Sequence, residues 1–185
     1  MGKNAQSQTI LNREFSSGGV VFRQGGWLIT RSSKSKIYPK TYWRLPKGWI
    51  DNVTPEIPGP MASGKVKADE ASLKKAALRE VREEGGVEAK IVKKIGTEKY
   101  FINAPDKDLP AGRQGRILKF VTFYLMEWVK VLPEGYDKET SEITWLPFEE
   151  AHEKLSFSGE KQILKKANEL LAIALSERSE SNGPP

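Results

Sequence analysis

The sequence predicts an α/β fold, a mixed sheet covered by helices, and three features carry that prediction. Apolar, strand-like runs occupy residues 15–22, 27–30, 91–102, 120–131 and 143–146. An acidic amphipathic helix, starting between Asp69 and Ser72 and stopped by Gly85-Gly86, separates the first pair from the rest. A second helical pattern, with Ile163, Leu164, Ala167, Leu170, Leu171 and Ala174 at helical spacing, closes the chain from 159 to 175. Strands, helix, strands and terminal helix describe a sheet held between helical layers.

The elements follow in order. Residues 1–14 are polar and aperiodic and read as a flexible lead-in. Phe15 to Phe22 is a strand in which Gly18-Gly19 permits close backbone approach, and Arg23-Gln24-Gly25-Gly26 turns it into a second strand at Trp27 to Thr30. A basic loop, Arg31 to Lys36, leads to Tyr42-Trp43-Arg44-Leu45 and then Pro46-Lys47-Gly48. Residues 50–67 carry three prolines and two glycines besides Gly48, so they are expected to form a loop without regular structure, either a lid or a disordered segment. The acidic helix has an apolar stripe of Leu73, Ala77, Leu78 and Val81, which places its carboxylates at the rim of the core. Asn103 to Gly115 is turn-rich, and Phe120 to Val131 is the most apolar strand, expected near the sheet centre. Pro133 to Ser141 is a polar loop, Pro147 to Leu155 a short helix, and 176–185 a disordered tail. Domain boundaries are therefore 1–14, 15–175 and 176–185.

Composition limits the chemistry. The chain has 185 residues, 38% hydrophobic and 29% charged, enough for one domain with a substantial core. Without cysteine there is no disulfide and no thiolate chemistry, which fits a reducing, cytoplasmic setting. No apolar run approaches the ~18 residues of a membrane span, so no membrane partner is expected. A net charge of +6 suits an anionic ligand, whether nucleotide, inositol phosphate or RNA.

The most informative stretch is R-E-V-R-E-E-G-G-V at 79–87. Glu80, Glu83 and Glu84 stand at i, i+3 and i+4, on one helical face. Their like charges repel, and they lie in the last turns, where the helix dipole is also unfavourable. A helix selected for stability alone would put them at its other end. Converging hard oxygen ligands suit a divalent cation such as Mg²⁺.

With Leu45-Pro46-Lys47-Gly48 upstream and Ala76-Ala77-Leu78 leading in, this stretch resembles the Nudix box, Gly-x5-Glu-x7-Arg-Glu-U-x-Glu-Glu-x-Gly-U, where U is a bulky aliphatic. Arg79, Glu80, Val81, Glu83, Glu84, Gly86 and Val87 match the second half at every specified position. The first half departs: Gly48 and Arg79 are 31 positions apart against 14 in the pattern, an insertion of about 17 residues, and Ala71 stands where the pattern has Glu. Asp69 and Glu70 are the nearest carboxylates to take the part of that Glu, which in the family mainly braces the Arg. The resemblance spans roughly 16–175, including G-G-V-V-F and W-L-P-F-E-E-A, and implies an α/β/α sandwich with a catalytic loop-helix-loop.

It also implies a Mg²⁺-dependent (or Mn²⁺-dependent) pyrophosphohydrolase acting on a nucleoside diphosphate-linked substrate. Glu80 and Glu84 would be direct metal ligands, with Glu83 a ligand or a water holder and the Lys47 carbonyl a further ligand. Arg79 belongs to the catalytic group. Glu139, six residues before Trp145, resembles an extra acidic ligand of some members, with Glu142 the second choice. The general base is Glu80 or a downstream loop carboxylate. Lys47, Arg31 and Lys119 are candidates for holding phosphates, and Tyr100, Phe101 and Tyr124 for stacking a base. His152, the single histidine, receives no catalytic role. The overall pattern looks closest to the diadenosine polyphosphate hydrolase branch. The alternatives are an ADP-ribose or RNA 5′ pyrophosphohydrolase, or a catalytically impaired nucleotide- or RNA-binding protein of the same fold.

Overall fold

Strand residues alternate between the two faces of a sheet, and here both faces are buried. The computed structural model describes residues 12–35, 39–104 and 115–181. The strands are β1 (Asn12–Arg23), β2 (Gly26–Ser32), β3 (Trp43–Arg44), β4 (Lys47–Trp49), β5 (Asn52–Thr54), β6 (Ile57–Pro58), β7 (Val87–Ala104), β8 (Gly115–Val131) and β9 (Thr140–Leu146). The helices are α1 (Glu70–Gly85), α2 (Phe148–Lys154) and α3 (Ser158–Ser181). Consecutive pairs Val20/Val21, Ile29/Leu28, Phe123/Tyr124 and Leu125/Met126 divide between two clusters. One packs against Leu155, Ile163, Leu164 and Ala167, the other against Ala77 and Val81 of α1. This is why these strands read as continuous apolar runs rather than strict alternation.

The main sheet runs β3-β2-β1-β8-β7, with β4 also paired to β1 and β9 to β2. It is mixed, because β1 and β8 run parallel while the other pairs are antiparallel. As expected, β8 lies inside the sheet. The long strand β7 is its edge, and exposed Lys90, Lys93, Lys94 and Lys99 along it discourage pairing with another chain. β1 is shared along its length: Phe22 faces Trp27 of β2, while Ser16 to Gly18 face Trp49 to Lys47 of β4. A Cβ on Gly18 would overlap Pro46 and Lys47, and one on Gly19 would overlap Val81 of α1. The glycine pair thus lets both the box loop and its helix lie against the central strand.

Three sequence expectations need correction. Residues 12–14 are not lead-in but the start of β1, because Asn12 to Glu14 pair in register with Ile117 to Lys119 of β8; residues 1–11 lie outside the described ones. The expected disordered tail continues α3 as far as Ser181, and 182–185 lie outside the described residues. The 50–67 insertion is not structureless: β5 and β6 form a small hairpin. Its proline content excludes a helix but not an antiparallel pair two or three residues long. The base of the insertion is fastened by Asp51, whose carboxylate accepts from Ala62 N at 2.7 Å and Met61 N at 3.2 Å. Phe15 N donates to Ala62 O at 2.8 Å, and Ala62 is fully buried. Of the turn-rich stretch expected at 103–115, residues 105–114 lie outside the described ones, while 103–104 and 115 belong to β7 and β8.

The Asp51 clip makes a direct prediction. Asp51→Ala removes two charge-assisted acceptors and should cost about 1–3 kcal/mol in stability. Limited proteolysis should then cut within 52–66 several-fold faster than in wild type. Equal cleavage rates would mean that the clip does not hold the insertion.

Candidate active site

Asp69 caps the N-terminus of α1, its side chain accepting from Ser72 N, and left-handed Gly86 ends the helix by donating to Arg82 O. Between these caps the i, i+4 spacing turns Glu80 and Glu84 inward. Glu80 is 7% exposed and Glu84 3%, whereas Glu83 faces solvent. The carboxylate of Glu80 lies against Gly48, where any Cβ would overlap it. That overlap explains the box glycine: only a residue without a side chain lets β4 pass over the glutamate.

Each carboxylate has its own set of donors. Glu84 receives Lys47 N at 2.8 Å on one oxygen and the Arg44 guanidinium on the other. Arg79 reaches Glu80 at 2.7 Å and Glu83 at 2.8 Å, and also donates to the Trp49 carbonyl at 2.6 Å. Arg79 is therefore anchored without the missing first box glutamate. Neither Asp69 nor Glu70 takes that part. Asp69 is the N-cap, and Glu70 accepts from Tyr124 Oη at 2.8 Å and pairs with Lys94 at 2.7 Å. Tyr124 and Glu70 instead tie the start of α1 to the sheet.

Burial is the largest cause raising the Glu80 carboxyl from its ordinary 4.5 to about 8; Glu84, Glu83 and Glu139 push the same way against Arg79. Glu84 is also raised, because burial outweighs the pull of Arg44 and Lys47. Glu139 sits in the loop after β8, which docks on the end of α1 through Asp137 N to Glu83 O (2.7 Å) and Leu132 N to Gly86 O (2.9 Å). Its charge acts on Glu80, Glu84 and Arg44, so the fold does bring this expected acid to the site. Glu142 does not join it and pairs with Arg31 at 3.4 Å.

The donor set fits a hard dication. Two buried carboxylates on adjacent turns, Glu80 and Glu84, present hard oxygen atoms, and burial, the largest cause raising both, disfavours their charged forms until a compensating cation is bound. Among the described residues no three His, Cys, Asp or Glu side chains are grouped closely enough to hold a metal ion by themselves. Mg²⁺ does not need such a group, since it keeps several waters and takes one or two carboxylates with substrate oxygens.

Other expected residues fare differently. The Lys47 ammonium is not poised for phosphate; it pairs at 2.5 Å with Glu160 of α3, and both side chains are buried. Tyr124 is fully buried and offers no face to a base. Tyr100 packs on the core, while exposed Phe101 is stacked by Arg116 at 3.7 Å. Lys119 stands opposite Tyr100 of β7 and Glu14 of β1, and the Glu14 carboxylate accepts from the Trp49 indole beside the box glycine at 3.0 Å. Two site residues escaped sequence reading. Arg44 holds Glu84, and Glu160, 2% exposed, accepts from Leu45 N at 2.8 Å while pairing Lys47. Arg44 gives no sequence signal beyond its place beside the box loop, and Glu160, in the polar helix start Ser158-Gly159-Glu160-Lys161-Gln162, gives none. An exposed aromatic pair, Tyr42 and Phe157 with centroids 5.2 Å apart, also lies next to Arg44 through Trp43, which bonds Ser156 on both its N–H and C=O.

The raised carboxyls predict a pH dependence of stability. Protonation of Glu80 persists in the folded state above the unfolded pKa, so the folded state binds more protons between about 4.5 and 8. Without added metal, Tm should therefore be highest near pH 5 and fall by several degrees as the pH rises through 8. Glu80→Gln should flatten that slope. A wild-type Tm that rises over the same range would contradict the burial of ionisable Glu80.

Comparison with known proteins agrees with this geometry. The family model for the NUDIX domain matches residues 13–167. A Mycobacterium tuberculosis protein described as mutator protein MutT4 is 27% identical over 142 residues, 77% of this chain, and the chain spans about half (45%) of that relative's length. Among solved structures, a NUDIX hydrolase from Nitrosomonas europaea aligns with TM-score 0.56 at 14% identity, covering 84% of this chain and 88% of its own. A MutT protein from Methanosarcina mazei aligns at 0.55 and 18%, covering 86% and 95%, and a C. elegans Ap4A hydrolase at 0.52 and 22%, covering 86% and 98%. These likenesses establish the α/β sandwich, and the family match extends over the buried glutamates, their helix and the loop that closes on them: this chain belongs to the Nudix family.

Proposed function

We propose that the chain is a Mg²⁺-dependent pyrophosphohydrolase that cleaves a dinucleoside polyphosphate, diadenosine tetraphosphate being the best fit. The observation that carries the reading is the pair of buried carboxylates, Glu80 and Glu84, packed against the box loop at Gly48 and Lys47. Glu80, Glu84 and the Lys47 carbonyl would hold the cation, with Glu83 or Glu139 contributing directly or through water. When bound, Mg²⁺ offsets phosphate charge and makes a bound water more acidic.

The chain's own residues do the rest. Arg79, tied to the Trp49 carbonyl and to Glu80 and Glu83, fixes the helix face to the box loop. Glu80 and Glu139 are the candidate bases that take a proton from the attacking water. Water adds to phosphorus, the phosphoanhydride P–O bond breaks, and diadenosine tetraphosphate yields ATP and AMP. A bridge of several phosphates suits a basic chain, and an adenine has an exposed surface to meet at Tyr42 and Phe157, flanked by Lys154 4.6 Å above the Trp43 ring. The setting in a cytoplasmic compartment remains part of the same reading; among the described residues no helix is long and apolar enough to cross a membrane.

Two measurements test it. Phosphate-release kinetics over a panel of diadenosine tetraphosphate, ADP-ribose, nucleoside triphosphates and 5′-triphosphorylated RNA should show metal-dependent, asymmetric cleavage of the first and much poorer use of the others. Glu84→Gln should lower turnover at least about 100-fold, a loss of some 2.7 kcal/mol in transition-state stabilisation, without unfolding the protein. A preference for ADP-ribose or RNA ends would replace the substrate while leaving the centre in place. Undiminished activity in Glu84→Gln would remove the centre itself.

A further inference from the structure

The positive charges around the glutamates are unequal in their freedom. Lys47 N is backbone within β4 and cannot leave Glu84 without breaking the pairing of β4 with β1. The Lys47 ammonium is committed to Glu160, and Arg79 is held at three points. Arg44 differs. Its side chain is 23% exposed, and among the described residues Glu84 is the single carboxylate it pairs with. Its Nε is buried without a hydrogen-bond partner, so no second bond fixes the plane of the group. Glu160, Glu139 and Glu80 all lie close enough to act on it electrostatically, so it sits within a field of carboxylates.

A dication and a guanidinium cannot share Glu84 Oε1 at low cost. At ~5–6 Å separation a divalent and a monovalent cation still repel in the effective dielectric constant of ~20 near a protein surface. We propose that Arg44 is an internal counter-ion that occupies Glu84 in the absence of metal and competes with the divalent cation for it. Arg44 thus has two opposed effects. It keeps a buried carboxylate neutralised, which protects the fold, and it weakens metal binding, which lets the site exchange its cation. The family pattern specifies nothing at this position, which lies four residues before the box glycine. The inference rests on Glu84 being a metal ligand, and the test separates the two claims.

The probe is Mn²⁺ alone, titrated into protein without substrate at pH 8.5, where proton competition for the carboxylates is least, with free Mn²⁺ read by electron paramagnetic resonance. Wild type should bind Mn²⁺ and Glu84→Gln should lose most of that binding; failure here would sink the metal-centre reading. Arg44→Gln keeps an N–H for Glu84 but removes the charge, and its Kd for Mn²⁺ should fall about fivefold or more. Arg44→Lys restores the charge and should lie within about twofold of wild type. General structural damage weakens binding and cannot produce the tighter binding expected of Arg44→Gln. If Arg44→Gln is unfolded without metal, Mn²⁺ should restore its native circular dichroism at concentrations that leave the wild type unsaturated. Weaker or unchanged Mn²⁺ binding by Arg44→Gln, or no restoration of its fold, would overturn the proposal while leaving the metal centre intact.

Discussion

Everything around this site follows from hiding two glutamates near the wrong end of a helix. Glu80 and Glu84 sit in the last turns of α1, where the backbone dipole opposes negative charge, and they are buried as well. Such a placement is stable only if neighbouring groups supply positive charge or donors, and each neighbour does so from a different element. β3 supplies Arg44, β4 supplies the Lys47 amide, and α1 itself supplies Arg79. The glycine of the box is the geometric counterpart, since β4 crosses above Glu80 only where no side chain intervenes.

The charges form a chain across the molecule. Arg44 answers Glu84, and Lys47, joined to Glu84 through its backbone, answers Glu160 on the far helix. The box loop is thereby held between carboxylates from helices on opposite faces of the sheet. One buried and one half-buried cation, Lys47 and Arg44, meet two buried anions in this network, and Glu80 is left to share Arg79 with Glu83. Breaking one member of such a network is costlier than its net stabilisation suggests, because it strands a buried partner. The imbalance at Glu80 is also what a dication would relieve.

Much of this was legible in the sequence because helical geometry is local. The i, i+3, i+4 spacing put Glu80, Glu83 and Glu84 on one face, and the structure brings Glu80 and Glu84 inward while Glu83 stays outside with Arg79. Gly18-Gly19, the first hairpin and the inner position of β8 were equally readable, since each depends on residues close in sequence. Partners contributed from a distance were not. Glu160 lies more than a hundred residues from Leu45 and Lys47, and nothing in its own helix distinguishes it from a surface acid. Tyr124 is ambiguous for a similar reason: a tyrosine in a strand gives no sign of which face it takes, and here its ring is buried and its hydroxyl donates to Glu70. The insertion is hard to read because proline density excludes a helix but not the short β5–β6 pair, and because the Asp51 carboxylate, which accepts from the Met61 and Ala62 N–H groups beyond that pair, carries no local signal of its partners.

The central claim is that a carboxyl held protonated near neutrality by burial gives up its proton to a divalent cation. Titration calorimetry of Mg²⁺ into the protein at pH 7, repeated in buffers of different ionisation enthalpy, counts that proton directly. With Glu80 raised to about 8, binding should release close to one proton per ion, and Glu80→Gln should abolish the release. Mg²⁺ binding with no proton released would contradict the account.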